Sequence, residues 1–210
     1  MIYIWTILTA AAVAAGVCFS RKRFLNLSFA GWPFWLELVG ALLSGGLIGW
    51  LGFVRVEGNP FSCLRLLLAA GALAGAARCD IKTRRIPNLY PAILLAGFVL
   101  CTGLDKAMQN VQWLALLGGV LGGAVVYWFL RLCSHLSHGG IGGGDIKLIS
   151  ALTCLIGLYG GFSVLLFAQL TAVVLVLVLL ALRRITMKES IAFAPFFYLG
   201  LLITVFLGSF

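Results

Sequence analysis

Two aspartates in this chain are placed to act together. Asp145 closes the glycine-rich run Gly140-Ile141-Gly142-Gly143-Gly144-Asp145 and is followed by Ile146-Lys147 and an apolar stretch. Asp80 follows Cys79 at the end of another apolar stretch and opens the polar run Asp80-Ile81-Lys82-Thr83-Arg84-Arg85-Ile86-Pro87-Asn88. Carboxylates in or near membrane segments are costly to hold and tend to be functional. Two of them at one site can share a proton, because mutual repulsion and partial desolvation keep one neutral while the other is ionised. The ionised partner can take a proton from water, and the neutral one can hydrogen-bond a carbonyl. Such a pair can hydrolyse a peptide bond with no metal and no covalent intermediate. Glycines beside Asp145 let the backbone approach a substrate strand closely. A plainer reading exists: carboxylates at helix ends cap N-termini or neutralise arginines. Residue types and spacing leave both open.

The elements that must position the pair are membrane spans. Of 210 residues, 62% are apolar and 10% charged, far outside the range of soluble globular domains. A span needs about 20 apolar residues. The sequence predicts an all-α, polytopic membrane helix bundle of about eight transmembrane helices, in one integral membrane domain over 1–210. The expected spans are about 2–20, 34–54, 61–79, 89–104, 111–133 and 145–159, a seventh from the Gly160-Gly161 turn to near 182, and 190–207. Ser44-Gly45-Gly46 in the second would permit close helix approach. The first run has no basic residue ahead of it, and Arg21-Lys22-Arg23 follow it, so it reads as a retained span rather than a signal peptide.

Alternating crossings place twelve of the fifteen Lys and Arg residues on one side and Arg55, Arg65 and Lys106 on the other. By the positive-inside rule the first side is cytoplasmic and both termini lie outside. Asp80 ends the third span and Asp145 begins the sixth. Two crossings separate them, so both carboxylates fall at one membrane face.

The formal net charge of +9 reports topology and contact with anionic lipid head groups. No nucleic-acid partner is expected. The six cysteines, Cys18, Cys63, Cys79, Cys101, Cys133 and Cys154, form no Cys-x-x-Cys pair and read as small apolar residues. Among the other acids, Glu57 and Asp105 are expected in wet outer turns, Glu189 beside Lys188 or an arginine, and Glu37 partly wet near the end of its span. His135 and His138 read as solvated loop residues. Lys147 can tune the pair, bind a substrate carbonyl or snorkel to head groups. Arg84 and Arg85 are assigned first to anionic lipid, with a substrate role as the lesser reading, and Pro87-Asn88 to ending the loop and capping the fourth span.

With Asp80 ahead of Arg85-Ile86-Pro87-Asn88, and Gly142-Gly143-Gly144-Asp145-Ile146-Lys147 in that order on one face, residues 64–207 resemble the type IV prepilin leader peptidases. These are membrane aspartyl proteases of the Gly-x-Gly-Asp class. Ile191-Ala192-Phe193-Ala194-Pro195-Phe196 is similar to that family's late apolar segment, with Ala194 where many members have glycine. The resemblance implies an aspartic endopeptidase without cofactor. It would cut the short basic leader from prepilins or pseudopilins at the cytoplasmic face of the bacterial inner membrane. It implies that Asp80 and Asp145 are catalytic and that Gly142, Gly144, Lys147, Pro87 and Asn88 bind substrate or shape the site. Larger members carry a cytoplasmic domain with two Cys-x-x-Cys pairs and N-methyltransferase activity. Here the corresponding loop, 21–33, has no cysteine, so no zinc and no methylation are expected. Rival readings are a preflagellin or signal-peptide-peptidase-like protease, and a membrane transporter or scaffold without catalysis. Ile86-Pro87-Asn88 favours prepilins, Cys79 stands where presenilin-like enzymes have tyrosine, and a transporter would show repeated halves with carboxylates mid-span.

Overall fold

The computed structural model describes residues 1–23, 32–55, 59–109, 113–137, 140–183 and 191–208. Among these residues seven helices follow one another: α1 (Ile2–Arg23), α2 (Trp32–Arg55), α3 (Pro60–Thr83), α4 (Leu89–Gln109), α5 (Trp113–Leu136), α6 (Gly143–Ala181) and α7 (Ala194–Leu207). Five of them, α1, α2, α3, α5 and α6, are long and apolar enough to cross a bilayer, and α4 and α7 are shorter apolar helices. The described residues contain no β-strand. The chain is an all-helical, multi-pass membrane protein, as expected where each segment must satisfy its own backbone N–H and C=O groups.

One sequence expectation is corrected in α6. The turn expected at Gly160-Gly161 lies at Gly157, whose φ of 88° and ψ of 166° interrupt the helix. That backbone region is essentially restricted to glycine. Residues eight apart in a straight helix would be separated by about 12 Å. Here a Cβ on Gly161 would come 2.8 Å from the Cα of Thr153. The helix therefore folds back on itself at Gly157, and Gly161 is the point where the two limbs press together.

Helix α3 is central. From Ala69 to Asp80 nearly every residue is buried, against α1, α4 and α7. Tyr90, fully buried at the start of α4, lies with its hydroxyl 3.7 Å from Cys79 Sγ and fixes α4 beside Asp80. In the Ser44-Gly45-Gly46 stretch only Gly45 is pressed against α1, where a Cβ would meet Ala10 Cα at 2.8 Å. Gly46 faces open space. Ser44 instead accepts a hydrogen bond from the Tyr198 hydroxyl at 2.7 Å, which ties α2 to α7.

Two carboxylates away from the aspartate pair are matched by arginines. Glu37 is held between Arg21, at 3.0 Å, and Arg78, so α1, α2 and α3 are joined at one end, the end that carries Arg21-Lys22-Arg23 and Lys82. Asp105 departs from expectation. Instead of a wet turn, α4 runs on to Gln109, and Asp105 is buried against Arg65 of α3 at 2.5 Å. A carboxylate can be buried there because α3 supplies the opposite charge. Replacing Asp105 with Ala should destabilise the protein by about 2 kcal/mol, since Arg65 would lose its partner in a mostly dry position. A detergent melt would register this, and an Arg65→Met, Asp105→Leu double variant should recover most of the loss. Glu57, His138, Arg184, Lys188 and Glu189 lie outside the described residues.

Candidate active site

Asp80 and Asp145 come to one cavity by different routes. Asp80 sits in the last turns of α3 and is 7% exposed. Helix α3 ends just beyond it because Arg84 takes a left-handed conformation (φ 53°) and donates its backbone N–H to the Asp80 carbonyl at 2.9 Å. Asp145 lies in the first turn of α6, whose N-cap is Gly142. The 140–142 segment leads into it, extended at Gly142, and is pinned by Ser134 of α5, whose hydroxyl donates to the Ile141 carbonyl at 3.0 Å.

Both carboxylates line a cavity of about 620 Å³. Its polar wall is Asp80, Arg84, Asp145 and the backbone of 140–142; its apolar wall comes from the second limb of α6, with Phe193 and Phe197. The Oδ2 of Asp80 accepts the backbone N–H of Ala194 at 2.9 Å, a buried bond from the start of α7. Phe193 packs edge-on against Phe197, ring centroids 5.0 Å apart, and this holds the Ala194 amide over the carboxylate. The Oδ1 of Asp145 is shielded from solvent and has no hydrogen-bond partner among the described residues. A Cβ on Gly142 would come 2.8 Å from Asp145 Oδ2, so glycine there keeps space in front of the carboxylate. Two carboxylates on a largely apolar cavity, one oriented by an amide and one with an unpartnered oxygen, are the residue types that can share a proton and bind water.

Other residues singled out in the sequence lie elsewhere. Lys147 points away from the pair and donates to Asn88 Oδ1 at 3.2 Å; both line a separate cavity with Tyr127 and Cys154. Gly144 packs against Ile86, where a Cβ would meet the Ile86 Cβ at 3.1 Å. Pro87 ends the loop, its carbonyl accepting the Tyr90 N–H at 3.2 Å. Of that group only Gly142 lines the cavity with the aspartates. Lys147→Met should therefore change any activity of the pair by less than about threefold, as an exposed contact of this kind contributes little; a loss as large as that of an aspartate variant would contradict the geometry.

Three contributors depart from the leading sequence expectations. Arg84, assigned first to lipid, lines the cavity. The Ala194 amide is a backbone donor, which no residue type reveals, although Pro195 after it marks a helix start. Gln169 is an amide side chain in the apolar run 162–182, and that isolation was the available signal.

Comparison with known proteins places the chain in a family. The sequence profile of the Type IV leader peptidase family matches residues 66–178, which contain both aspartates. The chain is 30% identical over 196 residues to the prepilin leader peptidase/N-methyltransferase of Dickeya chrysanthemi, covering 85% of this chain and 67% of that protein. It is 28% identical over 177 residues to the protein of that name from Burkholderia pseudomallei, covering 83% and 54%. Over 130 residues it is 28% identical to the one from Bacillus subtilis, covering 62% and 50%. The chain thus spans between half and two thirds of the length of these relatives. No solved structure matches it.

Proposed function

Because the chain belongs to the type IV leader peptidase family, we propose that it is an aspartic endopeptidase, in one membrane domain, that removes the basic leader from prepilins or pseudopilins. Asp80 and Asp145 are the catalytic pair. The observation that carries this reading is their convergence, from positions 65 residues apart in sequence, on one cavity with an apolar wall. One carboxylate draws a proton from water while the other, protonated, hydrogen-bonds the scissile carbonyl. The pair acts as a unit, so the two roles belong to the dyad. The leader precedes an apolar helix in such substrates, and the second limb of α6 offers an apolar surface against which that helix can lie.

The basic end of the bundle faces the cytoplasm, where the positive-inside rule puts it, in the bacterial inner membrane with anionic head groups around it. Both termini then face outward. The N-methyltransferase half of the relatives' names is not carried over, because the segment between α1 and α2 lacks cysteine. The test is co-expression with a prepilin in bacteria lacking their own peptidase. Appearance of leaderless product at the mass set by one cut supports the reading; precursor left intact overturns it.

A further inference from the structure

Asp145 lies eight residues before Thr153, and Gln169 lies eight residues after Gly161. Thr153 and Gly161 are the residues at which the two limbs of the α6 hairpin meet. Two antiparallel helices with the same rise therefore carry Asp145 and Gln169 to the same depth on facing limbs. Both line the same cavity. Around Gln169 the second limb presents Leu165, Ala172 and Val173. Gln169 is exposed to this space and is the only uncharged polar side chain on its lining among the described residues.

A primary amide at this level is costly unless something bonds it. Its chemistry is specific: one carbonyl acceptor and two N–H donors. That is what an extended peptide backbone requires, since each residue brings one donor and one acceptor that leave water when it enters. A scissile bond in reach of two aspartates cannot be inside a helix, where its groups are already paired and shielded. It must be locally extended. The 140–142 backbone, extended at Gly142, can pair one edge of such a strand.

We propose that Gln169 is the substrate-positioning residue for the opposite edge: its side-chain amide hydrogen-bonds the main chain of the extended segment at the cleaved bond. This rests on the peptidase reading above. It makes the enzyme tolerant of side chains at that point while demanding an unwound backbone.

The experiment is steady-state cleavage of a prepilin by the purified full chain in detergent, comparing wild type with Gln169→Leu and Gln169→Ala. Both variants should raise KM about tenfold, the loss of one or two hydrogen bonds, with kcat within about twofold. Melting temperatures should not fall below the wild-type value. A wild-type KM in either variant overturns the assignment, as does a fall in kcat with KM unchanged. If the Leu variant does not accumulate, the smaller Ala variant gives the same reading. Failure is separable from that of the peptidase assignment: Asp80→Asn and Asp145→Asn losing cleavage while Gln169→Leu keeps its KM would remove only Gln169. No cleavage by wild type would remove both.

Discussion

Asp80→Asn and Asp145→Asn should each lower prepilin cleavage by about 10³-fold or more while leaving the protein in the membrane, because each removes a proton-transfer group that no neighbour can replace. The substitution is close to isosteric, so packing is little disturbed. At position 80 the asparagine carbonyl can still accept the Ala194 amide that Asp80 accepts at 2.9 Å, and α7 should keep its place. At position 145 the change removes a like charge near Asp80 without emptying the site, so stability should hold or rise. This pairing of outcomes separates the two readings that residue types leave open. If the aspartates only cap helix ends or neutralise arginines, the Asn variants keep cleavage, and any loss of stability comes from the removed charge, since asparagine caps as well as aspartate. If they are the catalytic pair, cleavage goes and stability stays. A double variant should be no worse than either single one, because the two carboxylates act together. Full cleavage by either single variant would refute the assignment.

Much of this site could be read from the sequence because membrane topology is a strong constraint. Apolar runs of fixed minimum length alternate sides, so the even number of crossings between Asp80 and Asp145 placed them on one face before any neighbour was known. What sequence could not supply were approaches set by a few ångströms. Gly160-Gly161 is a good turn signal, yet the chain turns at Gly157, because a single glycine can take a φ of 88° and Gly161 is needed where the limbs meet instead. Asp105 looked solvated because its partner, Arg65, is 40 residues away. Lys147, two residues from Asp145, looked like part of the site. Two residues along a helix turn a side chain through about 200°, and it meets Asn88 instead. Gln169 needed the hairpin register before its depth had meaning. Backbone donors such as the Ala194 amide are common to all residues except proline, so composition is blind to them.

The second large effect follows from that hairpin. Gly161→Val should destabilise the protein by about 3 kcal/mol, at the upper end for overpacking a tight approach, and should depress cleavage more than its melting temperature alone would explain. A Cβ at 161 would sit 2.8 Å from Thr153 Cα, and nearer still to the Thr153 side chain. Backbone on one side leaves no rotamer as an escape, so the limbs must part. Parting them moves the wall that carries Gln169 away from Asp145, and the cavity widens where an extended peptide would be gripped. Gly161→Ala should do less of the same, and Thr153→Ala in that background should restore part of the loss by removing the side-chain half of the collision. The remainder should persist, because the main chain of Thr153 still stands in the way. Residues that touch are expected to couple in this way, whereas distant ones add. Gly103→Ala is the matched control: a Cβ there meets nothing within 4 Å, and alanine is the better helix former, so the variant should be neutral or slightly stabilised. Additive behaviour of Gly161→Ala and Thr153→Ala would mean that the limbs do not meet at this pair. Asp145 and Gln169 would then lose the shared depth on which the grip on the substrate backbone depends.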